Sequence, residues 1–405
     1  MDLLQLAFRI VIKIMTQENS ITSHNNKTAR TTSIVALNIV SVLAQFGQYG
    51  LGTTLIPIGL KVRNASAENI GTTSAAFWVG MLIGLFLASQ ATRKFGFRLT
   101  LVCGVGLSSL SFVLMPFIHW HFWAIPAAAI GLGTGLRWVA LETWLYSLVP
   151  DDARGRIVGI HETLLGIAAI LGALLIVVID ATKPDAFWIA AAVMLIGFIP
   201  LAFARTINAH PQEENQNGFS LNVKYWLGFG AIVAGLGGYV EGSLLALLPV
   251  YSADVGLTTK DAAWLLTIFQ IGAMTFQFPI GWMADYFGLI KTSKVCTVIA
   301  LASLLFIIIF GHSLSPLLIA IFVLGGVITG TLSLGIIWAI QNNTGTALSQ
   351  KVRQVSIVYT LLSAAGPFIS GFVVHHTSSQ SLFWQQLVVI FVLSIVLLKQ
   401  SKQST

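Results

Sequence analysis

The sequence predicts an all-α polytopic membrane protein: 12 transmembrane helices forming two pseudo-symmetric six-helix bundles. Three observations carry that prediction. First, only 9% of the 405 residues are charged and 56% are hydrophobic, where a soluble domain carries about 25% charged residues. Mean hydropathy is +0.83. Second, apolar stretches near the ~20 residues that a bilayer demands recur along the whole chain. Third, Phe95-Gly96 and Phe287-Gly288 each follow a long apolar run, 192 residues apart (288 − 96). A segment repeated at half-length, at the same place in the hydropathy pattern, implies two similar halves.

The elements follow in order. Met1 to Met15 is apolar but short and holds Arg9 and Lys13, as an amphipathic surface helix would. Met15 is a second candidate start, which would make 1–14 foreign to the native protein. Residues 1–32 are read as a cytoplasmic tail. The first bundle is expected over 33–205, with spans near 33–60, 68–92, 99–118, 122–148, 156–180 and 186–205. Residues 206–223, rich in Glu213, Glu214, Asn215 and Gln216, form the expected cytoplasmic linker. The second bundle is expected over 224–399, with spans near 224–252, 260–285, 292–311, 315–341, 350–375 and 382–399, then a tail at 400–405. With the N-terminus inside, 17 Lys and Arg fall on the cytoplasmic side and 4 outside, with Arg137 within a span. That bias places both termini in the cytoplasm of a cell whose inner (plasma) membrane holds the protein.

The +7 net charge is therefore a topology signal, and nucleic acid is not an expected partner. Cys103 and Cys296 sit at equivalent places in opposite halves, so neither a disulfide nor a metal cluster is expected from them. His119 and His121 stand at the outer edge of a span, and no metal is expected there either. Asn64-Ala-Ser66 fits a glycosylation sequon. No phosphate-binding loop occurs, so direct ATP drive, an enzyme activity and a cofactor are not expected. A monomer in a lipid bilayer is expected.

The stretch Gly281-Trp-Met-Ala-Asp-Tyr-Phe-Gly288 sits between two spans, with Lys291 and Lys294 following. Its glycines suit a tight turn, and Asp285 can accept bonds from free N–H groups at the next helix start. Gly281, Ala284, Asp285 and Gly288 resemble the signature loop between the second and third helices of each half in the major facilitator superfamily. In the first half Gly96 and Arg98 match, while Ser89 and Arg93 replace the glycine and the aspartate. The run Glu142-Thr-Trp144-Leu, Arg154-Gly-Arg156 and His161-Glu162 resembles a bacterial subgroup of that superfamily whose substrates are largely unassigned. The resemblance implies a central binding site between the bundles, a gate at the signature loops that includes Arg154, and secondary active transport of a small molecule.

Ionisable residues inside spans are costly and mark functional sites. Arg137 lies near the midplane among Gly131, Gly133 and Gly135. It reads either as an anion-binding group facing a central cavity or as half of a structural ion pair. Glu142 is five residues on, about 140° round a helix, so the two are poor partners. His161 and Glu162 on the fifth span lie at a similar depth to Glu142. The three could share a proton, or form salt bridges to Arg154, Arg156 or Arg98 that lock a gate. Asn38, Gln45 and Tyr49 share a face of the first span, flanked by Gln48, and must face protein or water. Substrate contact and helix–helix hydrogen bonding both fit.

Glu241 sits near mid-membrane among Gly235, Gly237, Gly238 and Gly242, with no basic residue one turn away. It is the strongest single candidate for a proton or cation-substrate site, unless it finds Arg137 across a cavity; the bland alternative is a carboxyl hydrogen-bonded within the second half. Gln270 and Gln277 form a polar face on the eighth span. Trp338, with Gln341 and Asn342, ends the tenth, as packing or as a ligand-stacking ring. The carboxylates Glu241, Glu142 and Glu162 favour proton-coupled transport, and the apolar, aromatic helix faces favour export of amphipathic compounds over uptake. The competing class is a non-transporting membrane sensor or scaffold on the same fold.

Overall fold

A computed structural model describes residues 28–149, 154–181, 183–205, 228–341 and 345–403, without the side chains of 154, 155, 345–350 and 399–403. The segment 1–14 and the linker 206–223 lie outside these residues. The described chain is helical. Eleven helices are long and apolar enough to cross a membrane. One of them, Ala67–Phe117, contains two spans, because Gly96 breaks it with φ 79° and ψ 164°. The helices are therefore α1 (Thr28–Val62), α2 (67–95), α3 (97–114), α4 (Ala124–Leu148), α5 (Arg154–Val178) and α6 (Asp185–Phe203) in one bundle. The other bundle holds α7 (Phe229–Asp254), α8 (Thr259–Phe287), α9 (Leu289–Phe310), α10 (Leu314–Gln341), α11 (Gly345–His376) and α12 (Ser381–Gln403).

The two halves repeat one another in backbone detail. Gly288, between α8 and α9, has φ 87° and ψ 151°, close to the values at Gly96. A side chain at either position would be strained, so both turns need glycine. The expected capping by Asp285 does not occur. Asp285 lies in the last turn of α8 with its side chain exposed, and α9 begins without a side-chain cap. In the first half Arg98 instead donates to the Ala204 carbonyl at the end of α6. Arg30 treats the end of α4 alike, donating to the Leu148 carbonyl. Both place a cation on helix C-terminal carbonyls. The sequon residues also have a local structural use: Ser66 Oγ accepts from the Asn69 N–H at 3.2 Å and caps α2.

Glycines set the packing distances. Gly131 and Gly135 of α4 face α2, while Gly133 faces α3. A Cβ on Gly131 would lie 1.9 Å from the Phe77 carbonyl oxygen. Its counterpart Gly325 of α10 meets the Phe269 oxygen of α8 at 2.3 Å in the same sense. Small residues let backbones touch where no hydrophobic force distinguishes helix from lipid. Gly131→Val must push α2 and α4 apart, so it is expected to destabilise the protein by about 1–3 kcal/mol or more. Thermal unfolding in detergent would read this as a fall of several degrees. An unchanged midpoint would contradict the packing.

The bundles meet by backbone at one end. A Cβ on Gly71 (α2) would lie 2.2 Å from the Pro367 oxygen and 3.0 Å from the Gly371 Cα, both of α11. Beside it Lys61 Nζ, at the end of α1, pairs with Asp254 of α7 at 3.5 Å. Toward the opposite end the bundles touch through longer side chains, with Met274 against Gly166 and the Arg353 guanidinium 5.9 Å from the Phe86 ring.

Candidate functional site

A cavity of about 250 Å³ lies between the bundles. That is near the lower end of ligand-pocket sizes, ~300–1,000 Å³. Its walls include Gln45, Tyr49, Arg137, Glu162, Glu241 and Gln270, with Trp78, Trp138, Met274 and Tyr359 among the apolar and aromatic residues. It extends from the level of Glu241 toward the end of α5 that holds Glu162, away from the Lys61–Asp254 end.

One irregularity in α1 positions much of this site. Residues Phe46–Leu51 form a π-turn, with the Gly52 N–H reaching back to the Gly47 carbonyl. The extra residue in that turn widens the helix and re-aims its side chains, as π-turns at functional sites do. Gln45 Oε1 accepts from Arg137 at 3.0 Å and Gln48 Oε1 accepts from Arg137 Nε at 2.6 Å. Ser41 Oγ completes the set at 3.4 Å, and Gln48 Nε2 donates onward to Ser108 at 2.7 Å. Arg137 is only 2% exposed, yet every one of these partners is neutral. No ion pair joins it to a carboxylate among the described residues. A buried guanidinium held by amides keeps its charge available to whatever enters the cavity.

Glu241, also 2% exposed, is held from both sides. The Tyr49 hydroxyl of α1 donates to one oxygen at 2.8 Å, and the Tyr359 hydroxyl of α11 donates to the other at 2.6 Å. Trp78 of α2 wedges between the two phenols, edge-on to Tyr49 at 6.3 Å and to Tyr359 at 6.2 Å. Gln270 stands beside Tyr49 on the same wall. The pairing of Glu241 with Arg137 that the sequence left open does not form; phenols occupy the carboxyl, and amides the guanidinium. The Tyr49 bond crosses between the bundles. Tyr49 and Glu241 are also 192 residues apart (241 − 49), the spacing of Gly96 and Gly288. Their neighbours Gly50 and Gly242 share it: Gly50 packs on α5 at Ala169 and Gly172, and Gly242 packs on α11 at Ser363 and Pro367. Two equivalent positions that touch must lie near the two-fold axis relating the halves.

A second cluster lies at the cavity wall, which its member Glu162 helps to line. One oxygen from each of Glu142 and Glu162 and one ring nitrogen of His161 fall within 4.8 Å of one another. Trp138 Nε1 donates to Glu142, and the Tyr146 ring stands edge-on to His161 at 6.1 Å. His161 is 1% exposed, and its Nδ1 lies 2.9 Å from Asn38 Oδ1. The amide orientation of Asn38 is set by its Nδ2, which donates to the Ile34 carbonyl at 2.8 Å. Asn38 Oδ1 must then accept, so His161 Nδ1 carries the hydrogen and Nε2 carries a lone pair. Of the gate partners considered for these carboxylates, Arg98 is engaged at Ala204, Arg156 is exposed, and the Arg154 side chain lies outside the described residues.

The remaining sequence candidates are placed as follows. Gln277 lines the cavity with Gln270. Trp338 does not line it; its ring packs on Gly228 and Gly230 at the start of α7, 6.4 Å from Phe229. Gly281, Asp285, Gly288, Gly96 and Arg98 lie at helix ends away from the cavity lining. Sequence reasoning missed Tyr359, Trp78, Ser41 and the Lys61–Asp254 pair. Tyr359 had a signal, as the single tyrosine of residues 351–376. The meeting of Tyr49 with Glu241 had one too, in their shared repeat spacing.

Comparison with known proteins agrees with this architecture. A sequence profile of the Major Facilitator Superfamily matches residues 37–234 and again 227–404. An uncharacterized MFS-type transporter YcaD of Escherichia fergusonii is 23% identical over 368 residues, covering 87% of this chain and 92% of that protein. The YcaD protein of Shigella flexneri serotype 5b is 24% identical over 361 residues, covering 86% and 91%. Among solved structures, the nucleoside transporter NupG superposes with a TM-score of 0.77 at 14% identity, covering 91% of this chain and 99% of that one. A bacterial homolog of the human lysosomal transporter Spinster, inward-facing and unoccupied, gives 0.76 at 12% identity, covering 92% and 97%. With twelve spans in two repeated bundles among the described residues and both halves matched, this chain belongs to the major facilitator superfamily.

Proposed function

We propose that the chain is a proton-coupled secondary active transporter of a small molecule bearing an anionic group on an apolar body. The observation that carries this reading is the Glu241 carboxyl on the cavity wall, bonded across the bundles by Tyr49 and within its own bundle by Tyr359. A carboxylate accepts both phenols in charge-assisted bonds; adding a proton turns one oxygen into a donor and weakens the pair. Because the Tyr49 bond links the bundles, proton gain or loss at Glu241 alters their attachment. That is what coupling a proton to alternating access requires. Arg137, charged and without a carboxylate partner, supplies the complementary site for the anion. Trp78, Trp138 and Met274 supply apolar surface for the rest of the substrate.

With the termini in the cytoplasm, as the Lys and Arg bias implies, the closed Lys61–Asp254 end faces outward and the cavity lies toward the cytoplasm. Substrate then loads from inside, and the aromatic lining favours export of amphipathic compounds. One chain supplies the residues that line the cavity, which supports the monomer as the working unit. The test is flux in proteoliposomes carrying an imposed proton gradient, with candidate amphipathic anions first selected by thermal shift. Gradient-driven accumulation supports transport. Stabilising ligands with no flux in either direction would favour a sensor on the same fold.

A further inference from the structure

We infer that Glu142, His161 and Glu162 form a binding site for a divalent first-row transition cation of the manganese, cobalt and zinc class. The site stands apart from Glu241 and holds whether or not the protein transports.

Three independent features point to it. The donor atoms converge within 4.8 Å from two helices, with Glu142 on α4 and His161 and Glu162 adjacent on α5. The ring of His161 is buried to 1% exposure, and its Nε2 has no hydrogen-bond partner. Burying such an atom unmatched is unfavourable, and a metal ion would satisfy it. The partner that orients the ring is also in place. Asn38 Oδ1 accepts from Nδ1–H and so fixes the tautomer whose Nε2 lone pair can ligate.

Charge and ligand type select the cation. Two carboxylates and a neutral imidazole carry the charge a divalent ion neutralises. No basic side chain forms an ion pair with either carboxylate among the described residues, and Arg137 is occupied by Gln45, Gln48 and Ser41. The imidazole disfavours magnesium and calcium, and the lack of thiolate or thioether disfavours monovalent copper. Metal–ligand bonds of about 2.0–2.2 Å bring tetrahedral donors to about 3.3 Å from one another. The exposed Glu162 can close that distance by changing rotamer. Three protein ligands leave a position for water or for the Tyr146 hydroxyl, which stands beside Glu162.

The test uses the full chain in detergent, stripped with EDTA and titrated calorimetrically with Mn²⁺, Co²⁺ or Zn²⁺ alone. One equivalent per chain is expected. His161→Asn, Glu142→Gln and Glu162→Gln should each weaken binding by about 10-fold or more, and Asn38→Ala by about 10–100-fold, because the imidazole loses the acceptor that orients it. If a variant fails to fold, X-ray absorption of the Co²⁺-loaded native protein decides, because the site predicts the outer-shell scattering of one imidazole. The exposed pairs His119/His121 and His375/His376 are the competing surface sites. Stoichiometric binding that survives alanine at all four supports the proposal. An adventitious ion only, removed by those four changes and indifferent to His161, would overturn it, as would a spectrum without imidazole scattering or no binding.

Discussion

Glu241→Gln is expected to abolish the dependence of substrate flux on the proton gradient while leaving the fold intact. Glutamine nearly matches the shape of the carboxyl and keeps an acceptor for one phenol, so the unfolding midpoint should move little. What it removes is the choice between two protonation states, and with it the change in strength of the Tyr49 bond between bundles. Coupling free energies between sites run at about 1–3 kcal/mol, or about 5–150-fold in affinity. The ratio of accumulation with and without a gradient should therefore fall by that factor toward unity. Passive exchange of substrate should persist. Tyr49→Phe provides the comparison: it cuts the link between bundles but keeps the titrating group and its Tyr359 bond. It should weaken coupling without eliminating it. If the glutamine variant still concentrates substrate in proportion to the gradient at every pH tried, the proton acts elsewhere.

Changes at Arg137 should split into two effects. Arg137→Ala removes the donor that matches Gln45, Gln48 and Ser41, leaving buried acceptors unpaired. Each such group is unfavourable by about 1–3 kcal/mol, so the variant should unfold well below the native midpoint. Arg137→Lys restores the charge, but an ammonium cannot span three acceptors as the planar guanidinium does. That variant should fold, and its affinity for an anionic substrate should fall by about 10–150-fold, the value of a hydrogen bond to a charged group. Ligand-dependent thermal shift reads both effects on one sample. Equal stabilisation of native and lysine proteins by the same anion would remove Arg137 from the binding site.

The fold was legible because a bilayer leaves little freedom. Twelve apolar runs of sufficient length, and a glycine turn repeated at half-length, are demands of the solvent and the backbone rather than of remote contacts. The separate positions of Arg137 and Glu142 also followed from helical spacing alone. The partners of Arg137 and Glu241 did not. Both are charges at similar depth, and a reading of depth alone makes them candidates for each other. What separates them is the π-turn at Phe46–Leu51, one extra residue that hydrophobic periodicity does not encode. It turns Gln45 and Gln48 onto Arg137, while Tyr49 reaches Glu241. Tyr359 and Trp78 come from helices distant in sequence, where each looked like an ordinary aromatic in an apolar run. Asp285 misled in the other direction: the motif suggested a cap, but its place inside the last turn of α8 points it outward.

The contact between Tyr49 and Glu241 bears on how such a molecule could have arisen. In a symmetric dimer of identical halves, whatever stands on the axis faces its own copy. Phenol would meet phenol, or carboxylate would meet carboxylate with mutual repulsion. A phenol facing a carboxyl at that point requires halves that differ in sequence, as the two halves of this chain do. The pairing of unlike groups at the centre is thus a consequence of carrying two halves of different sequence in one chain.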